Sequence, residues 1–298
     1  MTSIKLAAPA KVNLVLKVLG RRPDGYHNIL TLFGRISLCD TVTLTKRRRG
    51  VTVDCDRRVT GRMRDNIAYR AARLALDAGK APGGVGIRIR KRIPVAAGLG
   101  GGSSDAAAVL TGINKLYNLN ISRNTLMRIG RRLGADVPFF LLDEPFAVGR
   151  SRGDRLEKAD IRLKPWHLIV YPGRLKASTA AVYGDFDARM APRGRRSNCL
   201  TSRTGGAKIA LPRDWTGLVS LLCNDLGDVV AETDPVIGNT IRCLVASLSN
   251  RVIVSGSGPS LFCLYRTRKE AVAAVKRLRR TVPAARRRRW RVFVAGTI

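Results

Sequence analysis

The sequence predicts an α+β protein with two domains, and three observations support this prediction. The chain has 298 residues, of which 45% are hydrophobic, so it can bury two cores of moderate size. Its apolar residues alternate with polar ones in some segments and recur at helical spacing in others. The predicted elements of the second half follow the order strand, helices, strand, strand, helix, strand, which is typical of α+β folds. We place the domain boundary after residue 160, which gives predicted domains 1–160 and 161–298.

The first 45 residues predict two strands joined by a tight turn. The turn is Arg22-Pro23-Asp24-Gly25, because proline presets φ and glycine tolerates a positive φ. The second strand continues through the apolar runs at 36–38 and 41–44. A helix is predicted over residues 66–76, where apolar side chains recur at helical spacing, and it ends near Gly79.

A glycine-rich segment joins a predicted strand to a predicted helix. Residues 85–93 alternate apolar and polar side chains, which indicates a half-buried strand. The glycine-rich segment 94–104 follows directly. An alanine-rich helix is predicted over 105–117, and an amphipathic helix over 122–133 is closed by Gly134.

The second half of the chain predicts a further set of short elements. Residues 189–208 are rich in Arg, Gly and Ser, and we expect an exposed, mobile loop there. The predicted strands are 166–171, 251–255, Leu261–Tyr265 and a last one near 292–294, and the predicted helices are 218–231, Pro235–Leu248 and 269–280.

The charge of the chain is unusual. Its 55 Lys and Arg residues exceed its 21 Asp and Glu residues and give a net charge of +34. Such a field attracts polyanions whatever the fold. The cations occur in clusters such as 46–49 and 286–289, and aromatic residues make up only 5% of the chain, so material for stacking on bases is scarce. We therefore expect non-specific polyanion binding and no specific nucleic-acid partner.

The spacing of the cysteines and the hydropathy of the chain indicate the cellular compartment of the protein. The six cysteines are scattered singly, which favours buried thiols over a structural zinc site. No apolar run approaches the ~20 residues that cross a bilayer, and the first residues lack a signal-peptide pattern. We expect a cytoplasmic protein with no membrane partner.

The glycine-rich segment 94–104 has the features of an anion-binding loop. Backbone N–H groups at a helix N-terminus are partly positive and lack intrahelical partners, so they bind phosphate where no side chain blocks access. A tight turn with a serine cap is the alternative, although it needs fewer than four glycines. A P-loop is excluded because no Lys follows Gly102, and a dinucleotide fingerprint is weak because Ser103 stands where Gly or Ala is expected.

Three motifs resemble those of the GHMP kinases. The segment Pro-x-x-x-Gly-Leu-Gly at 94–100, followed by Gly-Gly-Ser-Ser, resembles their phosphate-binding loop. Residues 8–14 resemble their first motif, and residues 255–260 resemble their third, a glycine turn that buttresses the nucleotide loop. The resemblance implies a two-domain GHMP kinase fold, with an N-terminal ribosomal-protein-S5-domain-2-like ATP-binding domain and a C-terminal ferredoxin-like α/β sandwich domain for the substrate.

Further motifs resemble one branch of this superfamily. Residues 23–27 (Pro-Asp-Gly-Tyr-His) and 133–140 (Leu-Gly-Ala-Asp-Val-Pro-Phe-Phe) resemble the branch that acts on 4-diphosphocytidyl-2-C-methyl-D-erythritol in the non-mevalonate isoprenoid pathway. Residues 65–66, 171–173 and 224–226 fit the same branch. The resemblance implies ATP-dependent phosphorylation of the substrate's 2-hydroxyl, by a monomer or a homodimer.

The resemblance also implies roles for individual residues. Asp136 would act as the general base, and Lys11 would pair with it and stabilise charge near the γ-phosphate. Mg²⁺ is implied as the partner of ATP. The remaining expected contacts are, for the substrate, Asn13, Tyr26, His27 and Tyr183, with the cytosine between the Tyr26 and Tyr183 rings, and, for ATP, Asn66, Pro94, Val95, Ala96, Ala97, Gly98, Leu99, Gly100, Gly101, Gly102, Ser103 and Ser104.

Two other functions stay open at this point. Another GHMP small-molecule kinase, of the homoserine or mevalonate type, would keep Lys11, Asp136 and the loop but would not need Tyr26, His27 or Tyr183. A basic nucleic-acid-binding protein on a kinase scaffold would bind with steep salt dependence and release no ADP.

Overall fold

The computed structural model describes residues 2–57, 61–173, 178–190 and 208–298. Its strands within these ranges are β1 (Ser3–Arg21), β2 (His27–Arg47), β3 (Val51–Cys55), β4 (Gly84–Arg90), β5 (Phe146–Arg150), β6 (Arg155–Lys158), β7 (Trp166–Tyr171), β8 (Cys223–Asn224), β9 (Ile253–Val254), β10 (Leu261–Tyr265) and β11 (Arg291–Gly296). Its α-helices are α1 (Ile67–Ala78), α2 (Gly101–Tyr117), α3 (Arg123–Leu133), α4 (Val137–Leu142), α5 (Thr179–Met190), α6 (Trp215–Leu221), α7 (Asp225–Thr233), α8 (Pro235–Leu248), α9 (Arg268–Thr281) and α10 (Ala284–Arg287). No helix in the described ranges is long and apolar enough to cross a bilayer.

The chain divides into two compact units. Unit 1 comprises Met1–Lys11, Leu38–Val95 and Gly100–Glu144. In it β4 pairs antiparallel with β2 and parallel with β3. Helix α1 contacts α2, β3 and β4. Helix α2 approaches the sheet so closely at Gly112 that a Cβ atom there would lie 2.5 Å from Leu44 Cδ1, so this position admits only glycine without rearrangement.

Unit 2 comprises Val12–Ser37, Ala96–Leu99 and Pro145–Ile298. In it β5 pairs antiparallel with β2, and β8 pairs parallel with β1. A separate four-stranded sheet has the order β11-β7-β10-β9, and all of its pairs are antiparallel. Its apolar core includes Leu168, Val170, Leu261, Ile237, Leu244 and Leu278, which come from β7, β10, α8 and α9.

These units are divided differently from the predicted domains. Strands β1 and β2 are 19 and 21 residues long, and each continues along the chain from one unit into the other. The units are therefore discontinuous in sequence, whereas a boundary after residue 160 would cut the chain once. That boundary stays a prediction, and the mixture of helices and sheets agrees with the predicted α+β class.

One predicted helix is wrong in its extent. The predicted helix 218–231 is interrupted by β8, because Asn224 takes an extended conformation and caps α7. Its side-chain nitrogen Nδ2 donates hydrogen bonds to the carbonyl oxygens of Val254 and Gly256, which hold Asn224 against that segment of the chain. Helix α5 was not predicted, and most of the loop predicted at 189–208 lies outside the described residues.

A buried histidine in β7 makes stability depend on pH. His167 is fully buried, its Nδ1 lies 3.3 Å from the carbonyl oxygen of Ala295, and burial lowers its pKa to about 4 from 6.5. The unfolded chain therefore binds a proton between pH 6.5 and 4 that the folded chain does not. The folded state should lose up to ~1.4 kcal/mol of stability per pH unit from this residue as pH falls through that window.

The variant His167→Leu tests this prediction. Its free energy of unfolding should differ from that of the wild type by an amount that changes as pH falls from 6.5 to 4, because the variant lacks the titrating group. Denaturant titrations at several pH values measure this difference, and a difference that stays constant across the window would contradict the assignment.

Candidate active site

The glycine-rich loop ends at an open helix N-terminus in unit 1. Helix α2 begins at Gly101, and Gly100 before it adopts a left-handed conformation with φ 71°. No side chain caps this helix end. The backbone N–H groups of its first turn are thus free of a capping oxygen, and the dipole of a 17-residue helix favours an anion there.

A second feature at this helix end favours the binding of a ligand there. The Ser104 side chain is 1% exposed, and its hydroxyl oxygen has no hydrogen-bond partner. Buried hydroxyls usually find a partner, so an unpartnered one beside an uncapped helix end fits an absent oxygen-rich ligand. Gly102 adds room, because a Cβ atom there would meet only Ile67 Cγ2, at 3.7 Å.

The middle of the loop, Ala96–Leu99, is held by the turn at residues 255–260 in unit 2. Ser255 Oγ donates a hydrogen bond to the Gly98 carbonyl oxygen at 3.0 Å, and the Ser260 N–H donates to the Ala97 carbonyl oxygen at 3.1 Å. A Cβ atom on Gly98 would lie 2.2 Å from the Ser255 carbonyl oxygen. The contacts explain why this loop position is a glycine with φ of 77°.

Replacing Gly98 with alanine should therefore destabilise the protein. The left-handed conformation alone costs ~1–3 kcal/mol for a residue with a side chain, and the contact with Ser255 adds to that cost. Gly102→Ala is a matched control in the same loop, because its site has space and helical geometry, and stability should rise there by up to ~1 kcal/mol. Thermal unfolding of both variants measures the effects, and equal stabilities would contradict the proposed packing.

Lys11 and Asp136 form an ion pair in unit 1. Lys11 Nζ lies 3.6 Å from Asp136 Oδ2, and the two side chains are 5% and 34% exposed. Lys11 is held on β1, whereas Asp136 precedes α4, and its carboxylate makes no capping hydrogen bond to that helix. An accessible carboxylate beside a buried ammonium can accept a proton from a hydroxyl group.

The loop packs against this pair. A Cβ atom on Gly100 would lie 3.0 Å both from Lys11 Cγ and from Phe140 Cζ of α4. A Cβ atom on Gly134 would lie 3.9 Å from Ser103 Oγ, so the turn before Asp136 also lies near the loop. Unit 1 thus brings together the uncapped end of α2, a buried cation and an accessible carboxylate.

The predicted base-binding residues lie in unit 2. The rings of His27 and Tyr183 stack with centroids 4.5 Å apart and planes 16° apart, so one face of Tyr183 is covered by His27. His27 therefore keeps a base away from that face. If cytosine lies between Tyr26 and Tyr183 as predicted, it must stack on the other face of Tyr183, and this sandwich stays a prediction. Tyr26 is 57% exposed, and the Arg152 guanidinium lies 5.1 Å from its ring centroid.

Asn13 and Asn66 both use their side chains within the fold. Asn13 donates a hydrogen bond to Thr31 Oγ1 at 2.8 Å, and Asn66 Oδ1 accepts one from the Ala68 N–H as the cap of α1. Both residues are buried. Their proposed contacts with substrate and adenine remain predictions.

Sequence reasoning missed a buried charged cluster beneath the loop. Lys91 Nζ contacts both Asp40 and Asp105, and all three side chains are at most 5% exposed. A Cβ atom on Gly101 would lie 3.3 Å from that ammonium, so the cluster supports the start of α2. Lys91 stood at a polar position of an alternating strand, and Asp40 and Asp105 are far from it in sequence, so no local pattern indicated the cluster.

Burial and charge shift the pKa values in this cluster. Burial raises the pKa of Asp105 to about 7, against the opposing effect of Lys91. Burial alone would lower the pKa of Lys91, but the carboxylates of Asp105 and Asp40 together raise it. Asp40 also accepts hydrogen bonds from the backbone N–H groups of Arg92 and Ile93, which fix the chain as it enters the loop.

Known proteins share this arrangement of elements. The model of the GHMP kinase N-terminal domain matches residues 66–144, which include the loop, Asp136 and α1–α4. A relative from Geobacter metallireducens, a 4-diphosphocytidyl-2-C-methyl-D-erythritol kinase, is 42% identical over 280 residues, 93% of this chain and 94% of its own length. A solved structure of 4-(cytidine 5'-diphospho)-2C-methyl-D-erythritol kinase is 34% identical, with a TM-score of 0.73 and 98% of both chains covered.

A more distant structure shows the fold alone. The homoserine kinase from Cytophaga hutchinsonii is 18% identical, with a TM-score of 0.65 over 100% of this chain and 95% of its own. The predicted two-domain GHMP kinase fold is confirmed. With relatives above 30% identity along nearly its whole length, the chain belongs to the family of 4-diphosphocytidyl-2-C-methyl-D-erythritol kinases.

Proposed function

We propose that this protein transfers the γ-phosphoryl group of ATP to the 2-hydroxyl of 4-diphosphocytidyl-2-C-methyl-D-erythritol, a step toward isoprenoid precursors. The observation that carries the proposal is the Lys11–Asp136 pair beside the uncapped N-terminus of α2. Phosphoryl transfer needs an anion site, a cation near the transferred group and a group that accepts the hydroxyl proton. The names of two relatives, at 42% and 34% identity, support the same substrate.

In this mechanism each part of the site has one task. The N–H groups at the start of α2 bind phosphate oxygens, and the glycines of the loop let those oxygens approach. Lys11 offsets negative charge on the transferred group. Asp136 takes the proton of the substrate's 2-hydroxyl, and the hydroxyl oxygen forms a bond to the γ-phosphorus. The bond from that phosphorus to the β-γ bridging oxygen breaks, and ADP leaves.

Mg²⁺ is proposed as the partner of ATP. Protein-bound Mg²⁺ keeps several waters and phosphate oxygens and takes only one or two protein ligands, so it needs no acidic cluster. In the described part of the chain, no group of three or more His, Cys, Asp or Glu side chains could hold a metal. The unpartnered Ser104 hydroxyl is an oxygen ligand of the required kind, and the ion would neutralise charge on the β- and γ-phosphates.

The cytidine end is assigned to unit 2. Tyr26 offers an exposed ring for stacking, and His27 offers a ring nitrogen to the polar edge of the base. Asn13 and Tyr183 complete the proposed substrate contacts. Tyr26, His27 and Tyr183 separate the proposal from a kinase for homoserine, mevalonate or galactose, because none of these acceptors carries a base.

Acceptor selectivity tests the proposal directly. ADP release should be measured with ATP, Mg²⁺ and either 4-diphosphocytidyl-2-C-methyl-D-erythritol, homoserine, mevalonate or galactose. Turnover confined to the cytidine substrate is the expected result. Turnover with one of the other acceptors would assign a different GHMP kinase activity, and folded protein that releases no ADP with any acceptor would overturn the kinase assignment.

A further inference from the structure

Asp187 contacts one ring nitrogen of His27. Nε2 of His27 lies 2.8 Å from Asp187 Oδ1, and the His27 side chain is only 5% exposed. An ionised carboxylate accepts hydrogen bonds and donates none, so the proton in this contact belongs to Nε2. Arg21 Nη1 lies 4.0 Å from the other carboxylate oxygen, Oδ2, which leaves Oδ1 to the histidine.

Helix α5 holds the imidazole from two sides. Tyr183 and Asp187 are four residues apart on this helix, so their side chains lie on the same face. The Tyr183 ring covers the face of the imidazole at 4.5 Å, and the Asp187 carboxylate binds its edge. Both the plane of the His27 ring and the direction of its Nε2–H bond are fixed by this helix.

This arrangement sets what the other ring nitrogen can do. In a neutral imidazole whose proton is on Nε2, the remaining nitrogen, Nδ1, is a hydrogen-bond acceptor. Cytosine carries an amino group, a donor, at the ring position where uracil carries a carbonyl oxygen, an acceptor. An acceptor at Nδ1 therefore attracts cytosine and meets uracil with two lone pairs facing each other.

We propose that Asp187 is a positioning residue for base specificity, which keeps the proton on Nε2 of His27 so that Nδ1 accepts a hydrogen bond from cytosine and rejects uracil. The inference rests on the proposed function, because it takes the base of the substrate to be bound at His27. Asp187 itself need not touch the substrate.

Base discrimination is the first readout. The ratio of kcat/KM for the cytidine diphosphate substrate to that for its uridine diphosphate analogue should fall by roughly tenfold in Asp187→Ala, the factor that one hydrogen bond supplies. The change should come mainly from KM, because Asp187 is not assigned to the chemical step. Asp185→Ala is the matched control: it removes the same charge from an exposed position of α5 and should keep the wild-type ratio.

The proton position is the second readout, and it does not need turnover. The chain has two histidines, so the imidazole nitrogen NMR spectrum contains two rings. Nδ1 of His167 faces the carbonyl oxygen of Ala295, so His167 should carry its proton on Nδ1. Its signals therefore give an internal reference for the Nδ1-protonated tautomer. His27 should carry its proton on Nε2 in the wild type and show a mixture in Asp187→Ala.

These two readouts separate the possible failures. If the wild type phosphorylates neither nucleotide substrate, the proposed function and the specificity role both fall, while the spectrum still shows whether Asp187 fixes the proton. If the wild type is active and Asp187→Ala keeps both the base ratio and the Nε2 proton, this inference alone is overturned. If Asp187→Ala does not fold, Asp187→Asn replaces it, because an amide binds an imidazole through either its oxygen or its amino group and should give the same mixture.

Discussion

Asp136→Asn is expected to lower kcat by about 10²–10⁴-fold, the contribution typical of a general base. The amide has the shape of the carboxylate but cannot take the hydroxyl proton. Binding of ATP should change little, because the N–H groups at the start of α2 are untouched. Steady-state ADP release with the cytidine substrate measures the effect, and thermal unfolding verifies that the variant is folded.

A matched control separates loss of the base from loss of charge. Asp143 follows the other end of α4 and has φ of 59°, a conformation that Asn tolerates as well as Asp. Asp143→Asn should therefore keep turnover close to that of the wild type. Equal turnover of Asp136→Asn and the wild type would assign the proton transfer to another group.

The variant Lys91→Met is expected to lose about 3–5 kcal/mol of stability, the cost typical of removing one partner from a buried ion pair. Methionine nearly fills the space of lysine, but Asp40 and Asp105 remain buried without their cation. Arg88→Met is the control, because Arg88 lies on β4, which ends just before Lys91, and pairs with Asp54 at the surface, and the change should cost no more than ~1 kcal/mol. Denaturant titration compares the two, and similar losses would contradict a special role for the cluster.

The stability that Lys91→Met loses should also depend on pH. The pKa of Asp105 is about 7 in the folded state and 3.8 in the reference state, so the folded state holds this proton more tightly. Its contribution to stability is complete below pH ~4 and is lost as pH rises through 7. Without Lys91 to offset the ionised carboxylate, the loss in Lys91→Met should be larger at pH 8 than at pH 5. A loss that does not change with pH would contradict this assignment.

Local patterns predicted the elements whose ends are determined locally. The turn at 22–25, helix α8 and strand β10 lie where they were predicted, because proline, glycine and apolar spacing define them within a few residues. The predicted helix 218–231 failed at Asn224, since its apolar spacing continues across a residue that bonds to the chain 30 residues away. Helix α5 was missed because its apolar spacing is weak.

In the candidate site, too, features that depend on a local motif were predicted, and features that depend on distant residues were not. The family motifs indicated Lys11, Asp136 and the loop, and in unit 1 the structure brings Lys11 and Asp136 together with the end of the loop at Gly100. Asp187 and the Lys91 cluster were missed, because each depends on residues that are close in space and distant in sequence. Lys91 and Asp40 are 51 residues apart, and His27 and Asp187 are 160 apart, so a pattern within one segment could not pair them.

The passage of β1 and β2 through both units has a consequence for synthesis on the ribosome. Unit 1 is complete once residue 144 has emerged, but Val12–Ser37, which belongs to unit 2, emerges more than a hundred residues before Pro145. At synthesis rates of about 5–20 residues per second, these strand segments wait roughly 5–20 s for the rest of unit 2. They carry apolar side chains such as Leu14, Leu32 and Phe33, which are buried in the finished protein. The nascent chain therefore exposes apolar segments of unit 2 before the rest of that unit has been synthesised, and exposed apolar segments of this kind favour aggregation.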